Sequence, residues 1–263
     1  MEEQKQLRIL CFHGYRQSAE IFQRKSGALR KALKSRAKFE FISAPFTINL
    51  NGEEEEEEKK GRAWWFSNRE QRSFSSREIC TIADGFEESI KYTLEFIKNK
   101  GPFDGFLGFS QGASFIYLLL ASNPSLNIRF VILFSGFKSL SSFHNQFNCV
   151  KICVKSLHIW GLNDEIVLPK RSEELSEELF KNAQICTHPG KHCIPPPKEI
   201  REKLEEFLDQ FFPPPPVSFF EKYVKMVSLN NNCRTHRAVS NDTKIYKIRL
   251  DWTEIQTPEP PGR

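Results

Sequence analysis

No apolar run in this chain approaches the roughly 20 residues that a bilayer-spanning helix needs; the longest, around Ser114 to Ala121, stops far short. An integral membrane segment is therefore not expected. The opening "MEEQKQLRIL" has no basic stretch followed by an apolar one, so no secretory leader is expected either. Neither G-x-x-x-x-G-K-[ST] nor G-x-G-x-x-G occurs, which removes the usual phosphate cradles and with them a nucleotide cofactor. Cys186, His188, His192 and Cys193 cluster, but no second ligand pair with zinc-site spacing exists and Pro189-Gly190 constrains the geometry, so no metal and no cofactor are expected. A basic stripe is also missing. The net charge of +5 comes from lysines and arginines scattered among acids, which argues against nucleic acid as a partner. Seven cysteines, odd in number and dispersed, fit free thiols in a cytoplasmic or nuclear setting better than a disulfide framework.

What is present is an alternation of strands and helices. "LRILCF" (Leu7 to Phe12) reads as a buried first strand, followed by a helix from Ser18 to Lys34 with Ile21, Phe22, Leu29 and Leu33 on one side. Phe39 to Ile42 is a second strand. Ile82 to Lys100 is an amphipathic helix stopped by Gly101-Pro102, and Gly105 to Phe109 is a strand feeding the apolar helix Ala113 to Ala121. "FVILF" (Phe130 to Phe134) has the all-apolar character of a sheet centre. Leu157 to Trp160 and Gln184 to Thr187 are further strands, each leading to a helix, over Pro169 to Asn182 and Pro197 to Phe212. The order implies an α/β domain over residues 1–212, with a mostly parallel central sheet and helices on both faces.

Two segments break the pattern. Residues 49–60, "NLNGEEEEEEKK", carry six consecutive glutamates and read as a solvated acidic loop. Residues 213–263 open with a Pro-rich linker, "PPPP", and continue with weak periodicity, so a disordered C-terminal extension is expected, with "IYKIRLDW" as an alternative edge strand.

The chemistry gathers at strand ends. Gly108-Phe109-Ser110-Gln111-Gly112 lies between a strand and a helix, the setting of a nucleophile elbow, where glycines permit close approach and the serine hydroxyl stands at the carboxyl edge of the sheet. A structural serine would fit the pentapeptide alone. A catalytic serine needs a base oriented by a carboxylate, supplied downstream in the order Ser, Asp or Glu, His. Asp164 stands just past "LHIW", ahead of its neighbour Glu165 because the tight "GLND" turn aims it along the sheet edge. His192 lies in the loop before the last helix and competes with His188, which closes a strand and is pinned by Pro189. His158 lies within a strand, and His144 and His236 fall in polar, poorly patterned segments. Backbone N–H groups of Tyr15 and Gln111 would form an oxyanion hole. Trp64, Trp65 and Phe66 either plug the core or wall an apolar substrate cleft; with Phe109 they are the candidate acyl pocket.

"LRILCFHGYRQSAEIF", "FISAPF", "RAWWF", "FDGFLGFSQGA", "LFSGF", "GLNDEIV" and "HPGKHCIP", in this order, resemble the FSH family of serine hydrolases. The resemblance covers Leu7 to Phe212. It implies an α/β-hydrolase fold and a carboxylesterase acting on acyl esters, often with long straight chains, with Ser110 as nucleophile, Asp164 as triad acid and His192 as base. The expected partner is a small-molecule acyl ester. A thioesterase or protein deacylase would use the same triad, and a ligand receptor with little turnover could retain it. One departure is local: Lys191 stands where the family usually has a second glycine before the histidine.

Overall fold

The computed structural model describes residues 6–48 and 60–212. These lie in one compact unit spanning Met1–Pro213. Most of the acidic loop, the Pro-rich linker and the extension fall outside the described residues.

Six strands form one parallel sheet in the order β2-β1-β5-β6-β7-β8: Ala37–Ile42, Leu7–Phe12, Gly105–Phe109, Phe130–Phe134, Lys155–Gly161 and Ala183–His188. A separate antiparallel hairpin pairs β3 (Phe46–Ile48) with β4 (Gly61–Ala63). Side chains alternate across a strand, and the core follows that period. Leu10, Phe12, Phe106, Val131 and Leu133 pack on one face against α3 (Phe86–Lys100), α4 (Gln111–Ser122) and α5 (Pro169–Leu179). Ile9, Cys11, Leu107, Phe109 and Ile132 pack on the other against α1 (Ala19–Lys25), α2 (Gly27–Ala32) and α6 (Pro197–Asp209). Both faces being covered explains why "FVILF" is apolar throughout. No helix among the described residues is long and apolar enough to cross a membrane.

Helices α5 and α6 each end three residues before the expected bound, at Leu179 and Asp209, and two others differ more. The segment Ser18 to Lys34 is not one helix: Ser26 bonds back to the Phe22 carbonyl through both its N–H and its hydroxyl, and α1 ends there before α2 begins at Gly27. A serine that satisfies itself on the preceding turn competes with the helix ladder. The helix expected from Ile82 starts four residues later, because Asp84 pairs with Phe66 and Gly85 is left-handed at φ 82°. A β-carbon at Gly85 would stand 2.3 Å from the Phe46 ring, so the position needs glycine twice over.

His144, assigned from its polar surroundings to an unpatterned segment, is instead fully buried, its ring 4.4 Å from that of Phe86 and 5.5 Å from that of Trp65. Burial pushes the imidazoles of His13 and His144 down to about 4 and that of His158 down to about 3. Unfolded imidazole titrates near about 6.5, so between about pH 4 and 6.5 the unfolded chain binds more protons than the folded one. The stability tied to these three groups is therefore complete above about pH 6.5 and is lost as pH falls through that window. Thermal unfolding followed by circular dichroism is expected to show a midpoint that drops progressively from pH 7 to pH 5. A midpoint that stays level over that range would contradict the buried, neutral state of these histidines.

Candidate active site

β5 ends at Phe109 and α4 begins at Gln111, leaving Ser110 alone to turn the chain, at φ 53° and ψ −119°. A non-glycine residue in such a conformation costs on the order of 1–3 kcal/mol and persists only where its surroundings enforce it. Here they do. A β-carbon at Gly108 would lie 2.6 Å from the Ala113 backbone, and one at Gly112 would lie 2.4 Å from the carbonyl oxygens of Phe12 and His13. The two glycines let α4 fold tightly over β5 and β1, and the Ser110 N–H is held by the Phe134 carbonyl at 2.8 Å.

Two loops at the carboxyl ends of β7 and β8 bring the partners. They are stitched together by Leu162 N–H to the His188 carbonyl (2.8 Å), Asn163 N–H to the Gly190 carbonyl (3.2 Å) and the Asn163 amide to the Pro189 carbonyl (2.7 Å). Gly161 permits this approach, since a β-carbon there would meet the Gly190 carbonyl at 2.3 Å. The result is a continuous chain. Ser110 Oγ lies 2.9 Å from His192 Nε2, and His192 Nδ1 lies 2.7 Å from Asp164 Oδ2. The other Asp164 oxygen, Oδ1, accepts the N–H groups of Ile166 and Val167 at 2.9 Å each. Burial pushes the Asp164 carboxyl up, but the bonds from His192 and the Val167 N–H, the His192 charge and the neighbouring Ser135 hydroxyl pull it further the other way, so it sits below its ordinary value. An ionised Asp164 accepts a hydrogen bond from Nδ1–H, which leaves Nε2 unprotonated and free to accept from Ser110.

The rival residues lie elsewhere. The Glu165 side chain is 80% exposed and sits 3.9 Å from Lys191 Nζ. His188 is buried and accepts the Gly190 N–H at 3.1 Å. Lys191 does not adopt a positive φ, so no glycine is required at that position.

The N–H groups of Tyr15 and Gln111 are spent on no carbonyl among the described residues. Their setting is rigid: His13 accepts the Ala44 N–H through Nε2 at 2.9 Å, so its Nδ1 carries the proton donated to the Gly14 carbonyl at 2.8 Å. Trp64 Nε1 donates to the His13 carbonyl at 2.9 Å. This bracing role of His13 was not readable from the sequence, where "HGY" points to an oxyanion loop through its backbone alone.

The aromatic trio needs correction. Trp64, Trp65 and Phe66 are all buried in the interior and do not line the cleft over Ser110. Trp64 stacks on Phe115 at 4.5 Å, and the Gln111 amide clamps the segment, accepting the Trp64 N–H and donating to the Trp65 carbonyl. Of the candidate pocket residues only Phe109 faces the open site, its ring 4.8 Å from that of His192. The cleft over Ser110 encloses about 820 Å³, and its apolar wall is Phe22, Phe74, Phe109, Ile166 and Ile194. Phe74 and Ile194 lie in loops without periodicity, so no sequence signal marked them.

A family model described as "Serine hydrolase (FSH1)" matches residues 1–204. The chain belongs to this family. Curated relatives carry the same activity in their names: an esterase of Caenorhabditis elegans, C25G4.2, is 43% identical over 214 residues, covering 79% of this chain and 95% of the relative. Esterase OVCA2 of Danio rerio is 39% identical over 225 residues, covering 78% and 97%. The chain is thus a serine hydrolase of the esterase type. Among solved structures, esterase PE8 superposes with a TM-score of 0.53 at 18% identity over 79% of this chain and 93% of the other. SOBER1 of Arabidopsis thaliana does so with a TM-score of 0.51 at 19% identity over 78% and 99%. At those identities the likeness shows the fold, an α/β hydrolase. An FSH-family hydrolase acts on esters, and the contact between Ser110 and His192 opens into this cleft.

Proposed function

We propose that this FSH-family protein is a carboxylesterase in which Ser110, His192 and Asp164 act as a triad, on acyl esters with medium to long straight chains. The observation that carries the reading is the unbroken line of contacts from Ser110 Oγ through the imidazole to Asp164. His192 Nε2 takes the Ser110 proton as Oγ attacks the ester carbonyl. The oxygen that gains charge sits on the N–H groups of Tyr15 and Gln111, and losing one such donor typically costs about 100- to 1000-fold in rate. His192 then protonates the departing alcohol, leaving an acyl-Ser110 intermediate. Water, deprotonated by the same nitrogen, releases the acid. Asp164 holds the imidazole tautomer and stabilises its charged form.

The chain-length preference rests on Phe22, Phe74, Phe109, Ile166 and Ile194. Each methylene buried there contributes about 0.8 kcal/mol, or roughly fourfold in kcat/KM. Steady-state hydrolysis of p-nitrophenyl esters from acetyl to palmitoyl is expected to show kcat/KM rising over the first several carbons. Activity confined to acetyl esters would reject the apolar acyl site. We also propose a cytoplasmic or nuclear setting, supported by free thiols at Cys11, Cys80, Cys149, Cys153, Cys186 and Cys193.

A further inference from the structure

The lining of the cleft over Ser110 is not apolar throughout. It also carries Arg16, Lys25 and Arg77, and no aspartate or glutamate among the described residues lines it. We propose that the ester this cleft accepts is an anion, bearing a carboxylate or phosphate that these three cations hold. The proposal rests on the esterase reading and narrows its substrate class.

Three observations support it. The cations come from three different segments that line the cleft: Arg16 follows the oxyanion-loop residue Tyr15, Lys25 lies in the last turn of α1 one turn beyond Phe22, and Arg77 lies in the loop after Phe74. None of them has a carboxylate partner among the described residues, although Arg8, Arg36, Arg69, Arg129 and Arg201 elsewhere on the protein all do. All three are exposed, so their charge is available to a ligand.

Two of the three are also held in place. Arg16 sits at φ 63°, a left-handed conformation that disfavours any β-carbon. It is locked there by its N–H bond to the Arg62 carbonyl at 3.0 Å and by Gly61, where a β-carbon would lie 3.0 Å from the Arg16 Cα. A glycine would occupy that backbone position more cheaply, and an arginine stands there instead. Arg77 is anchored through Nε to the Ile166 carbonyl at 3.3 Å, and its two terminal nitrogens make no hydrogen bond among the described residues. Ile166 in turn follows Asp164 by two residues, so the Arg77 rim is tied to the triad loop. A planar guanidinium held by one edge keeps the donors that suit carboxylate or phosphate oxygens. With apolar residues and cations lining one cleft, it fits an amphiphilic ester: a chain against the apolar residues, and an anionic group against Arg16, Lys25 and Arg77.

The test compares isosteric pairs on the intact chain at low ionic strength. One arm sets the 4-methylumbelliferyl monoester of adipic acid against 4-methylumbelliferyl hexanoate, placing the anion on the acyl end. The other sets 1-hexanoylglycerol 3-phosphate against 1-hexanoylglycerol, placing it on the leaving group. In at least one arm the anionic member is expected to have a kcat/KM about tenfold higher or more, an advantage that shrinks as salt is raised to about 0.5 M. The ratio is expected to fall toward one in Arg16→Gln/Lys25→Gln/Arg77→Gln. Should that variant not fold, Lys25→Gln alone, on the exposed face of α1, is expected to lower the ratio severalfold. Ratios at or below one in both arms, or a preference that survives the substitutions, would overturn the proposal while leaving a Ser110-dependent esterase intact. An advantage seen only with anionic micelles and not with soluble anionic esters would assign the cations to a lipid surface and overturn it equally. Hydrolysis of no ester in either arm would remove the esterase reading itself.

Discussion

Ser110→Ala is expected to lower kcat by about 10⁵- to 10⁶-fold, the loss seen when a triad nucleophile is removed. The fold should be untouched. The Ser110 hydroxyl makes one hydrogen bond, to His192, and alanine inherits the backbone strain of φ 53° without adding to it. A companion variant separates the two effects: Ser110→Gly relieves the strain, so it is expected to be as inactive as the alanine variant yet more stable by about 1 kcal/mol or more. Turnover of a p-nitrophenyl ester together with the thermal midpoint measures both. Turnover retained in either variant would move the nucleophile elsewhere, and a glycine variant less stable than wild type would mean that the turn is not strained.

Asp164→Asn is expected to cost about 10⁴-fold in kcat through the imidazole tautomer rather than through any loss of structure. The argument is geometric. Oδ1 of Asp164 accepts two N–H groups, from Ile166 and Val167, so an asparagine must keep its carbonyl oxygen there and turn its NH₂ toward His192. Nδ1 then has to accept, the ring proton moves to Nε2, and Nε2 can no longer take the proton of Ser110. Nitrogen chemical shifts of ¹⁵N-labelled histidine should report the proton on Nδ1 in wild type and on Nε2 in the variant. A nearly unchanged rate, or an unchanged tautomer, would remove Asp164 from the orienting role.

The sequence singled out Ser110, Asp164 and His192, which the structure brings into contact, because each owes its position to local chain chemistry. Gly108 and Gly112 announce a tight strand-to-helix turn, "GLND" follows an apolar strand, and "HPGKH" leads out of another. Helix boundaries were less legible. The break at Ser26 and the late start of α3 at Phe86 depend on a hydroxyl bonding to a carbonyl and on a pairing between Asp84 and Phe66, neither of which leaves a periodic trace. The same holds for His144, a histidine in polar company along the chain that is surrounded by aromatic rings in space.

The α/β class, the esterase family and the strand-end positions of the reactive residues were determined by the sequence itself, because alternation of apolar residues and turn glycines acts over a few residues at a time. Tertiary structure alone decided which aromatics face the substrate. Trp64, Trp65 and Phe66 could have lined a cleft, but Gln111 and Phe115 draw them inward, and the wall passes to Phe22, Phe74, Ile166 and Ile194. It also decided that Arg16, Lys25 and Arg77 share that cleft. The physical reason is common to both: a side chain's environment is set by whichever distant segments pack beside it, and loops carry no period from which that packing can be read.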